Sequence, residues 1–415
     1  MEIRPAWPYA PTAVRQLNLE TGIADVRGLD GYYCVLVVFR YRGEVLSQAY
    51  LPVTRGRIPT SALESHVHTL NGRIWEIESR RQQSTMTRGK FRASVVVCTR
   101  DRTADLSQCL PRLLPLIDQG HEVIVVDSCP SDDSSKVLVS KYPGLIYVLE
   151  SCPGLSIARN RGIRASSGEV IAFTDDDAEV DPFWLPHLLR NFEDPTVGMV
   201  TGLALPIELE TPSQVWFELT NTFSRGLRRR SFDVKNIDPL WAGALGAGVN
   251  TAFRRSVFDA VGFFDDALGP GTPARASDDH EMFYRILAGG HRAIYDPGAV
   301  VWHRHRRDWR ALTNTVYNYG VSTFAWWTAA LVFRKEYGLL RLAPGWFINY
   351  QVRHLLRTLL RRPNAIPLDL ALAEFKGALM GPRAYFKSKR TMQEMSGRVT
   401  VDRDAFLQPE EMGTP

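Results

Sequence analysis

Residues Val170–Trp184 read VIAFTDDDAEVDPFW, an apolar run followed directly by consecutive aspartates. Like charges about 4 Å apart repel by roughly 1 kcal/mol in water and by about 4 kcal/mol at an effective dielectric constant of 20. A chain that keeps Asp175, Asp176 and Asp177 together therefore needs positive charge beside them. We expect a divalent cation, Mg²⁺ or Mn²⁺, because these ions take carboxylate oxygens as ligands. The alternative is a solvated acidic turn.

Two similar apolar runs come earlier in the chain, SVVVC (94–98) and EVIVVD (122–127). Short continuous runs rich in valine and isoleucine are typical of strands that are buried on both faces. The stretches between the runs have the length of helices, so the order is strand, helix, strand. This pattern predicts an α/β fold of Rossmann-like type, with a mostly parallel sheet flanked by helices.

The polar residues at the ends of these runs predict where a ligand binds. In open α/β sheets, ligands bind outside the carboxyl ends of the strands. Thr99–Arg102, Asp127 and the aspartate triplet all occupy such ends, so we expect them at one edge of one sheet. The loop DSCPSDDS (Asp127–Ser134) suits contacts to a base or ribose, although an ordinary loop with a helix N-cap has the same composition.

Composition and charge exclude several classes of protein. The net charge of +5 over 415 residues is too small for a dedicated nucleic-acid binder. Five scattered cysteines without a CxxC pair argue against a disulfide scaffold or a structural zinc site and favour a reducing compartment. The start of the sequence, MEIRPAWPYAP, lacks the apolar core of a signal peptide. Together these features predict a cytoplasmic protein.

The length predicts two or three domains. Residues 1–90 are expected to form a small β-rich domain around GYYCVLVVFRYRGEVLSQAYLPV, ending in the polar linker SRRQQSTMTRGK (79–90). Residues 91–310 form the α/β domain, and residues 311–415 form a helical region. Residues 311–333 carry no charge, but their apolar part is too short to cross a bilayer comfortably, so we expect a buried or interfacial helix.

A basic amphipathic segment follows, WFINYQVRHLLRTLLRRP (346–363). Its leucines share one helical face and its arginines surround them, which suits the inner face of an anionic membrane. Packing against the α/β domain is the alternative.

Several motifs in the same order connect the chain to a known family. The segments SVVVCTRDR, EVIVVDSCPSDDS, GLSIARNRGIRASSGEVIAFTDDDAEVDP, GAGVNTAFRRSVFDAVGFFDDALG and SDDHEMFYRILAGGHRAIYDPGAVVWHRHR resemble family 2 of the nucleotide-sugar-dependent, inverting glycosyltransferases. The resemblance covers residues 93–306 and implies the GT-A fold. It also implies sugar transfer from a nucleoside-diphosphate sugar, most commonly a UDP-sugar, to a hydroxyl of a glycan, a lipid-linked molecule or a small molecule, as in polysaccharide biosynthesis.

The resemblance implies a role for individual residues. Asp175 and Asp177 match the DxD motif that ties the metal to the diphosphate, and His303 matches a third metal ligand; a histidine on a half-solvated strand is the alternative. The residues expected to contact the donor are Thr99, Arg100, Asp127, Asp132, Asp133, Arg159, Asn160, Asp175 and Asp176.

The general base of the family lies in an acidic pair at the start of a helix. Here the pair is Asp278–Asp279, with Asp278 in place of the usual glutamate, so Asp279 is the base by position. An N-terminal capping box with acidic first-turn residues is the alternative. Trp241 and Asn250 are candidate sugar contacts. Arg225 and Arg228–Arg230 either meet a phosphate-bearing acceptor or form a solvated charge run.

Other functions fit the sequence less well. A nucleotidyltransferase also combines a parallel sheet with aspartates and Mg²⁺, but it needs a glycine-rich loop with a basic residue, which does not follow SVVVC. A Rossmann dehydrogenase needs GxGxxG at the same place. A non-catalytic protein that binds nucleotide sugars or glycans has no need for a base beside a metal cluster. The donor sugar, the acceptor and the oligomeric state stay open.

Overall fold

The computed structural model describes residues 11–83, 91–220, 223–362 and 365–405. The first ten residues of the sequence, residues 84–90 of the expected linker and Pro363 of the amphipathic segment lie outside this part of the chain.

The first three strands of the chain form a small sheet. Strand β1 (Thr12–Asn18) pairs parallel with β2 (Cys34–Tyr41), which pairs antiparallel with β3 (Glu44–Pro52). The two strands expected around the RGE turn are thus confirmed. Helices α1 (Thr60–Val67) and α2 (Asn71–Gln83) follow, so the first residues of the expected linker are helical.

The large sheet contains the three apolar runs, confirming the predicted α/β class. Its order is β10-β12-β9-β11-β7-β4-β5-β6, with β8 paired to β12. The strands are β4 (Ala93–Thr99), β5 (Glu122–Ser128), β6 (Leu145–Glu150), β7 (Val170–Asp175), β8 (Ala178–Val180), β9 (Val197–Pro206), β10 (Arg230–Phe232), β11 (Asn250–Arg254) and β12 (Arg292–His303). The helices of this region are α3 (Thr103–Asp118), α4 (Ser134–Ser140), α5 (Leu155–Ala165), α6 (Trp184–Leu189), α7 (Pro212–Thr220), α8 (Arg255–Val261) and α9 (Asp278–Ala288).

The register of the central strands brings the predicted site residues to one sheet edge. Strand β4 pairs parallel with β5 and β7, and these pairings align Thr99 with Asp127 and Cys98 with Asp175. Strand β11 runs antiparallel to both β7 and β9, so the sheet as a whole is mixed. An apolar run carries no information about strand direction, which explains why the sequence predicted only the parallel part.

The small sheet shares a core with the large one. Leu36, Val38 and Val45 of the small sheet form one apolar cluster with Leu205 of β9 and Val300 of β12. Burial of such side chains contributes about 1.5–3 kcal/mol each, so this shared cluster stabilises both sheets.

The described chain divides into two compact units. The first takes residues from 1–149, 161–263 and 282–312, and the second takes residues from 150–160, 264–281 and 313–415. The helices of the second unit are α10 (Trp309–Arg334), α11 (Leu339–Trp346), α12 (Arg353–Leu359) and α13 (Leu368–Ala405). The first four residues of α10 belong to the first unit. The helix expected over residues 311–333 is thus confirmed as α10. Within the described residues, no helix combines the length and the apolar character that crossing a membrane requires.

Candidate functional site

Asp175, Asp177 and His303 form a cluster in the first unit that can hold a metal ion. One ligand atom from each residue lies within 4.8 Å of the others. Asp175 ends β7, Asp177 is the last residue of the turn before β8, and His303 ends β12, which pairs with β8. Two carboxylates and one imidazole are a donor set that suits a divalent cation. The geometry therefore fits the metal ligands that the sequence suggested.

Arg102 supplies positive charge to the same aspartates. Its guanidinium donates to Asp176 Oδ1 at 2.5 Å and to Asp177 Oδ2 at 2.8 Å. Thr99 Oγ1 donates to the other oxygen of Asp176 at 2.8 Å. Burial opposes the charge of Arg102, but Asp177 and Asp176 outweigh it and raise its pKa.

Asp176 and Asp177 differ in their electrostatic balance. Burial raises the pKa of Asp176 to about 7, although Arg102 favours the ionised form. Burial also opposes ionisation of Asp177, but His303, Arg102 and Arg306 outweigh it and lower the pKa of Asp177. Asp177 is therefore an ionised carboxylate at neutral pH, as a metal ligand must be.

A hydrogen-bonded chain runs behind His303. His303 Nδ1 lies 3.0 Å from His305 Nδ1, and His305 Nε2 lies 3.0 Å from Glu218 Oε2 on α7. Burial, reinforced by His303, lowers the pKa of His305 well below its ordinary value, so His305 is neutral. A neutral imidazole has one donor and one acceptor nitrogen. With Glu218 accepting from Nε2–H, the network assigns His303 as the donor from Nδ1 and leaves its Nε2 on the side of Asp177 Oδ1, 3.3 Å away.

Asp127 has a buried carboxylate oxygen without a partner. Tyr147 donates to Asp127 Oδ2 at 3.0 Å, while Oδ1 has no hydrogen-bond partner among the described residues. Burial raises the pKa of Asp127, and the Tyr147 hydrogen bond opposes that rise. A buried polar atom without a partner is costly, so Oδ1 is a candidate contact for a ligand.

The loop after β5 is tied to the end of β4. Asp101 Oδ1 accepts from the Ser131 backbone N–H at 2.7 Å and from its hydroxyl at 2.8 Å. Asp132 accepts from the Ser134 backbone N–H, and the Asp133 side chain is exposed. The exposed Arg100 pairs only loosely with Asp101, at 3.7 Å.

Arg159 and Asn160 belong to the second unit and have buried partners there. Arg159 donates to Asp278 Oδ2 at 2.6 Å, and both side chains are about 95% buried. The Asn160 amide donates to the Phe264 carbonyl and to Asp266, and its oxygen accepts from the Phe264 backbone N–H. Both side chains thus hold the segment that leads into α9.

The two aspartates that open α9 have different environments. Asp278 is buried and paired with Arg159, whereas Asp279 is only partly buried. Asp279 Oδ1 accepts from the His280 backbone N–H at 2.8 Å, as expected in the first turn of a helix. Asp279 is therefore the more accessible carboxylate of the pair.

Of the other sequence candidates, Asn250, Arg225 and Arg229 have structural contacts. Asn250 is buried, accepting from Trp184 Nε1 and donating to the carbonyls of Leu203 and Ala299, whereas Trp241 is 42% exposed. Arg225 donates to the Gly243 and Gly246 carbonyls. Arg229 donates to Asn191.

The contacts of four residues in these networks were not predicted from the sequence: Arg102, Tyr147, Glu218 and His305. Arg102 and His305 lie in quoted motifs, but their partners are 74 to 87 positions away, and sequence spacing does not reveal such pairs. Tyr147 and Glu218 lie on elements that carry no motif.

Comparison with known proteins identifies the class. The model of the family described as Glycosyl transferase family 2 matches residues 94–266. The pre-mycofactocin glycosyltransferase of Mycobacterium tuberculosis is 28% identical over 225 residues, 52% of this chain and 44% of that protein. The glucosyl-dolichyl phosphate glucuronosyltransferase of Haloferax volcanii is 26% identical over 232 residues, 52% of this chain and 69% of that protein. The match thus spans less than half of the mycobacterial relative.

The solved structures that match this chain include two glycosyltransferases. The mannosyltransferase PcManGT from Pyrobaculum calidifontis, in complex with GDP-Man and Mn²⁺, gives a TM-score of 0.43 at 18% identity, over 80% of this chain and 87% of that one. Glucosyl-3-phosphoglycerate synthase from Mycobacterium tuberculosis gives 0.40 at 18% identity, over 58% and 79%.

The sheet with its acidic edge, the ordered motifs and the family match point to a glycosyltransferase. The match to glycosyl transferase family 2 covers residues 94–266, less than half of the chain.

Replacing Arg102 tests whether it neutralises the aspartates. In Arg102→Gln, Asp176 and Asp177 lose their shared cation, and we expect the free energy of unfolding to fall by about 2–3 kcal/mol. Urea unfolding at neutral pH without added metal measures this.

Arg100→Gln is the matched control. Arg100 lies two positions before Arg102, is exposed and pairs only loosely with Asp101, so its replacement removes the same charge without breaking a close ion pair. Its effect should stay within about 0.5 kcal/mol. Equal effects of the two substitutions would contradict the role given to Arg102.

Proposed function

We propose that the protein is an inverting glycosyltransferase that moves a sugar from a nucleoside-diphosphate sugar to an acceptor hydroxyl with the help of Mg²⁺ or Mn²⁺. The convergence of Asp175, Asp177 and His303 at the end of β7 is the observation that carries this proposal. The family match over residues 94–266 supports the reaction class, and the curated relatives named above are glycosyltransferases.

Asp175, Asp177 and His303 are the proposed metal ligands. When bound, the cation would neutralise the charge that develops on the leaving nucleoside diphosphate. The imidazole in the set favours Mn²⁺ over Mg²⁺, because Mg²⁺ is bound mainly by oxygen atoms.

Glu218 and His305 are proposed to position the metal ligand. A ligating histidine usually donates its other ring N–H to a fixed acceptor, which sets the tautomer and the ring orientation. The 3.0 Å contacts from His303 to His305 and from His305 to Glu218 have this form. They keep the Nε2 lone pair of His303 available for a cation.

Glu218→Gln tests this positioning. The amide can present its N–H₂ group to His305 and reverse the direction of the chain, so we expect Mn²⁺ affinity to fall about 10- to 100-fold. Titration of Mn²⁺ followed by electron paramagnetic resonance measures it. Glu78→Gln is a control, because Glu78 pairs with Arg42 and takes no part in the contacts of His303, His305 and Glu218. Unchanged Mn²⁺ affinity in Glu218→Gln would refute the role.

The donor nucleotide is proposed to contact the ends of β4 and β5. The unpartnered Oδ1 of Asp127 suits an N–H or O–H donor of the base or ribose. Thr99, Arg100, Asp132 and Asp133 lie at the same strand ends, and Asp176 lies beside the proposed metal ligands. For Arg159 and Asn160 the buried contacts favour a supporting role for the segment before α9. UDP is the first nucleotide to test.

Asp279 is the proposed general base. It would take the proton from the acceptor hydroxyl as that oxygen attacks the anomeric carbon on the face opposite the leaving group, and a single displacement inverts the configuration. Its partial exposure supports this choice, whereas the pairing of Asp278 with Arg159 supports a positioning role for Asp278.

Asp279→Asn and Asp278→Asn separate the two roles. Release of UDP from UDP-sugars with Mn²⁺, water serving as acceptor, should fall about 10²- to 10⁴-fold in Asp279→Asn, while the melting temperature and its rise with UDP and Mn²⁺ persist. Asp278→Asn leaves Arg159 buried without its counter-charge and should lower the melting temperature by itself.

A nucleotide-sugar-binding protein without catalysis is the competing function. It would show the rise in melting temperature with UDP and Mn²⁺ but no release of the corresponding nucleoside diphosphate from any UDP-, GDP- or dTDP-sugar. Loss of UDP binding together with activity in Asp279→Asn would point to a structural role for Asp279.

Peripheral membrane contact through residues 346–362 of the amphipathic segment is a second part of the proposal. Leu356, Leu359 and Leu360 are between 52% and 65% exposed, and Arg353 and Arg357 of the same segment are also exposed. Exposed leucines beside arginines suit the interface of an anionic membrane.

Flotation with vesicles tests this contact. The whole chain should float with phosphatidylglycerol vesicles and not with phosphatidylcholine vesicles, and Leu356→Gln/Leu359→Gln/Leu360→Gln should not float. Val137→Gln/Leu149→Gln, which removes exposed aliphatic side chains elsewhere, should float like the parent chain. Equal flotation of all three proteins would remove the proposal.

A further inference from the structure

The second unit contains a basic cleft that the proposed donor site does not use. Its volume is about 630 Å³. The walls are the loop 271–275, one face of α10 and one face of α13. Arg275, Arg383 and Lys387 line it, all three exposed, and no acidic residue is among the described residues of its lining.

The three cations have no counter-charge among the residues that the structure describes. No carboxylate of the described residues lies within ion-pair distance of Arg275, Arg383 or Lys387, in contrast to Lys389 and Arg390 on the same helix. Unneutralised like charges in one concave space repel each other, and bound anions remove that repulsion. The charge pattern therefore selects an anionic ligand.

The walls of the cleft are held rigidly. Helices α10 and α13 cross with their backbones in contact, because a Cβ atom on Gly377 would lie 2.2 Å from the Tyr317 carbonyl and one on Gly320 would lie 2.3 Å from the Glu374 carbonyl. Ser388 Oγ on α13 donates to the Ala267 carbonyl at 2.6 Å. These contacts between α10, α13 and the neighbouring loop do not depend on a ligand, so the cleft is preformed.

The loop of the cleft leads directly into the proposed base. Ser277 Oγ and Ser322 Oγ on α10 are 2.9 Å apart, and the Gly269 N–H donates to the Ala276 carbonyl. Arg275 precedes Asp279 by four residues, which span at most about 14 Å even when fully extended. A ligand of the size of a glycosyl phosphate can thus extend from the cations of the cleft towards Asp279.

The lining also includes groups that suit the rest of such a ligand. Tyr317 contributes a phenol hydroxyl, and Val321, Met380 and Ala384 contribute apolar surface. Guanidinium groups donate several hydrogen bonds in a plane, which matches phosphate oxygens.

We propose that this cleft binds the phosphate group of the acceptor substrate. The assignment of this phosphate to the acceptor substrate rests on the proposed function. Binding of an anion in the cleft does not depend on that function. The phosphate is carried either by a lipid or by a free small molecule, and the two sources share the same recognition by Arg275, Arg383 and Lys387.

Calorimetric titration of the whole chain tests the proposal with two probes. Geranyl phosphate represents a lipid phosphate, glycerol 3-phosphate represents a free one, and geraniol lacks the charge. We expect the parent chain to bind at least one phosphate but not geraniol. Binding of geranyl phosphate alone identifies the lipid source, and equal binding of both phosphates identifies the free source.

Arg383→Gln/Lys387→Gln should weaken phosphate binding by at least about tenfold, since it removes two charge-assisted contacts. The matched control is Lys376→Gln/Arg390→Gln, which removes the same charge from the same helix outside the cleft and should stay within about twofold. Arg275→Gln, on the loop, is a second test that leaves α13 unchanged. Equal affinities in the cleft and control variants, or no phosphate binding by the parent chain, would overturn the inference.

The rise in melting temperature with UDP and Mn²⁺, measured on the same samples, separates this inference from the proposed function. Nucleotide binding without phosphate binding removes only the cleft. Phosphate binding that depends on Arg383 and Lys387, without binding of any nucleotide, removes the acceptor role and keeps the anion site.

Discussion

The concentration of negative charge at the end of β7 is the constraint on which the rest of the site depends. Asp176 and Asp177 are more than 90% buried, and burial opposes the ionised form of both. Arg102 forms ion pairs with both carboxylates, so part of the positive charge comes from the protein itself. A cation bound by Asp175, Asp177 and His303 would neutralise the remaining negative charge. The same interaction would then stabilise this edge of the sheet and serve the proposed sugar transfer.

The sequence predicted the elements whose signal is local. Continuous apolar runs identified β4, β5 and β7, and the polar residues at their ends identified the edge where Thr99, Asp127 and Asp175 align. The order of motifs identified the family. The antiparallel strand β11 was not predictable, because direction depends on tertiary connections rather than on the composition of the run.

The contacts that orient the candidate residues were outside the reach of sequence reasoning. Arg102 meets Asp176 across 74 positions, His305 meets Glu218 across 87, and Arg159 meets Asp278 across 119. Such pairs follow from the packing of whole elements. The buried Arg159–Asp278 pair explains what the motif alone left open, namely why Asp279 is the more accessible member of the acidic pair.

Crystals of the protein grown with UDP and Mn²⁺, with diffraction recorded at the manganese absorption edge, would locate the cation relative to these side chains. We expect one anomalous peak within coordination distance of Asp175, Asp177 and His303 Nε2, with the nucleotide diphosphate on its open side. Nucleotide in place at the ends of β4 and β5, with no manganese peak at these three side chains, would contradict this expectation.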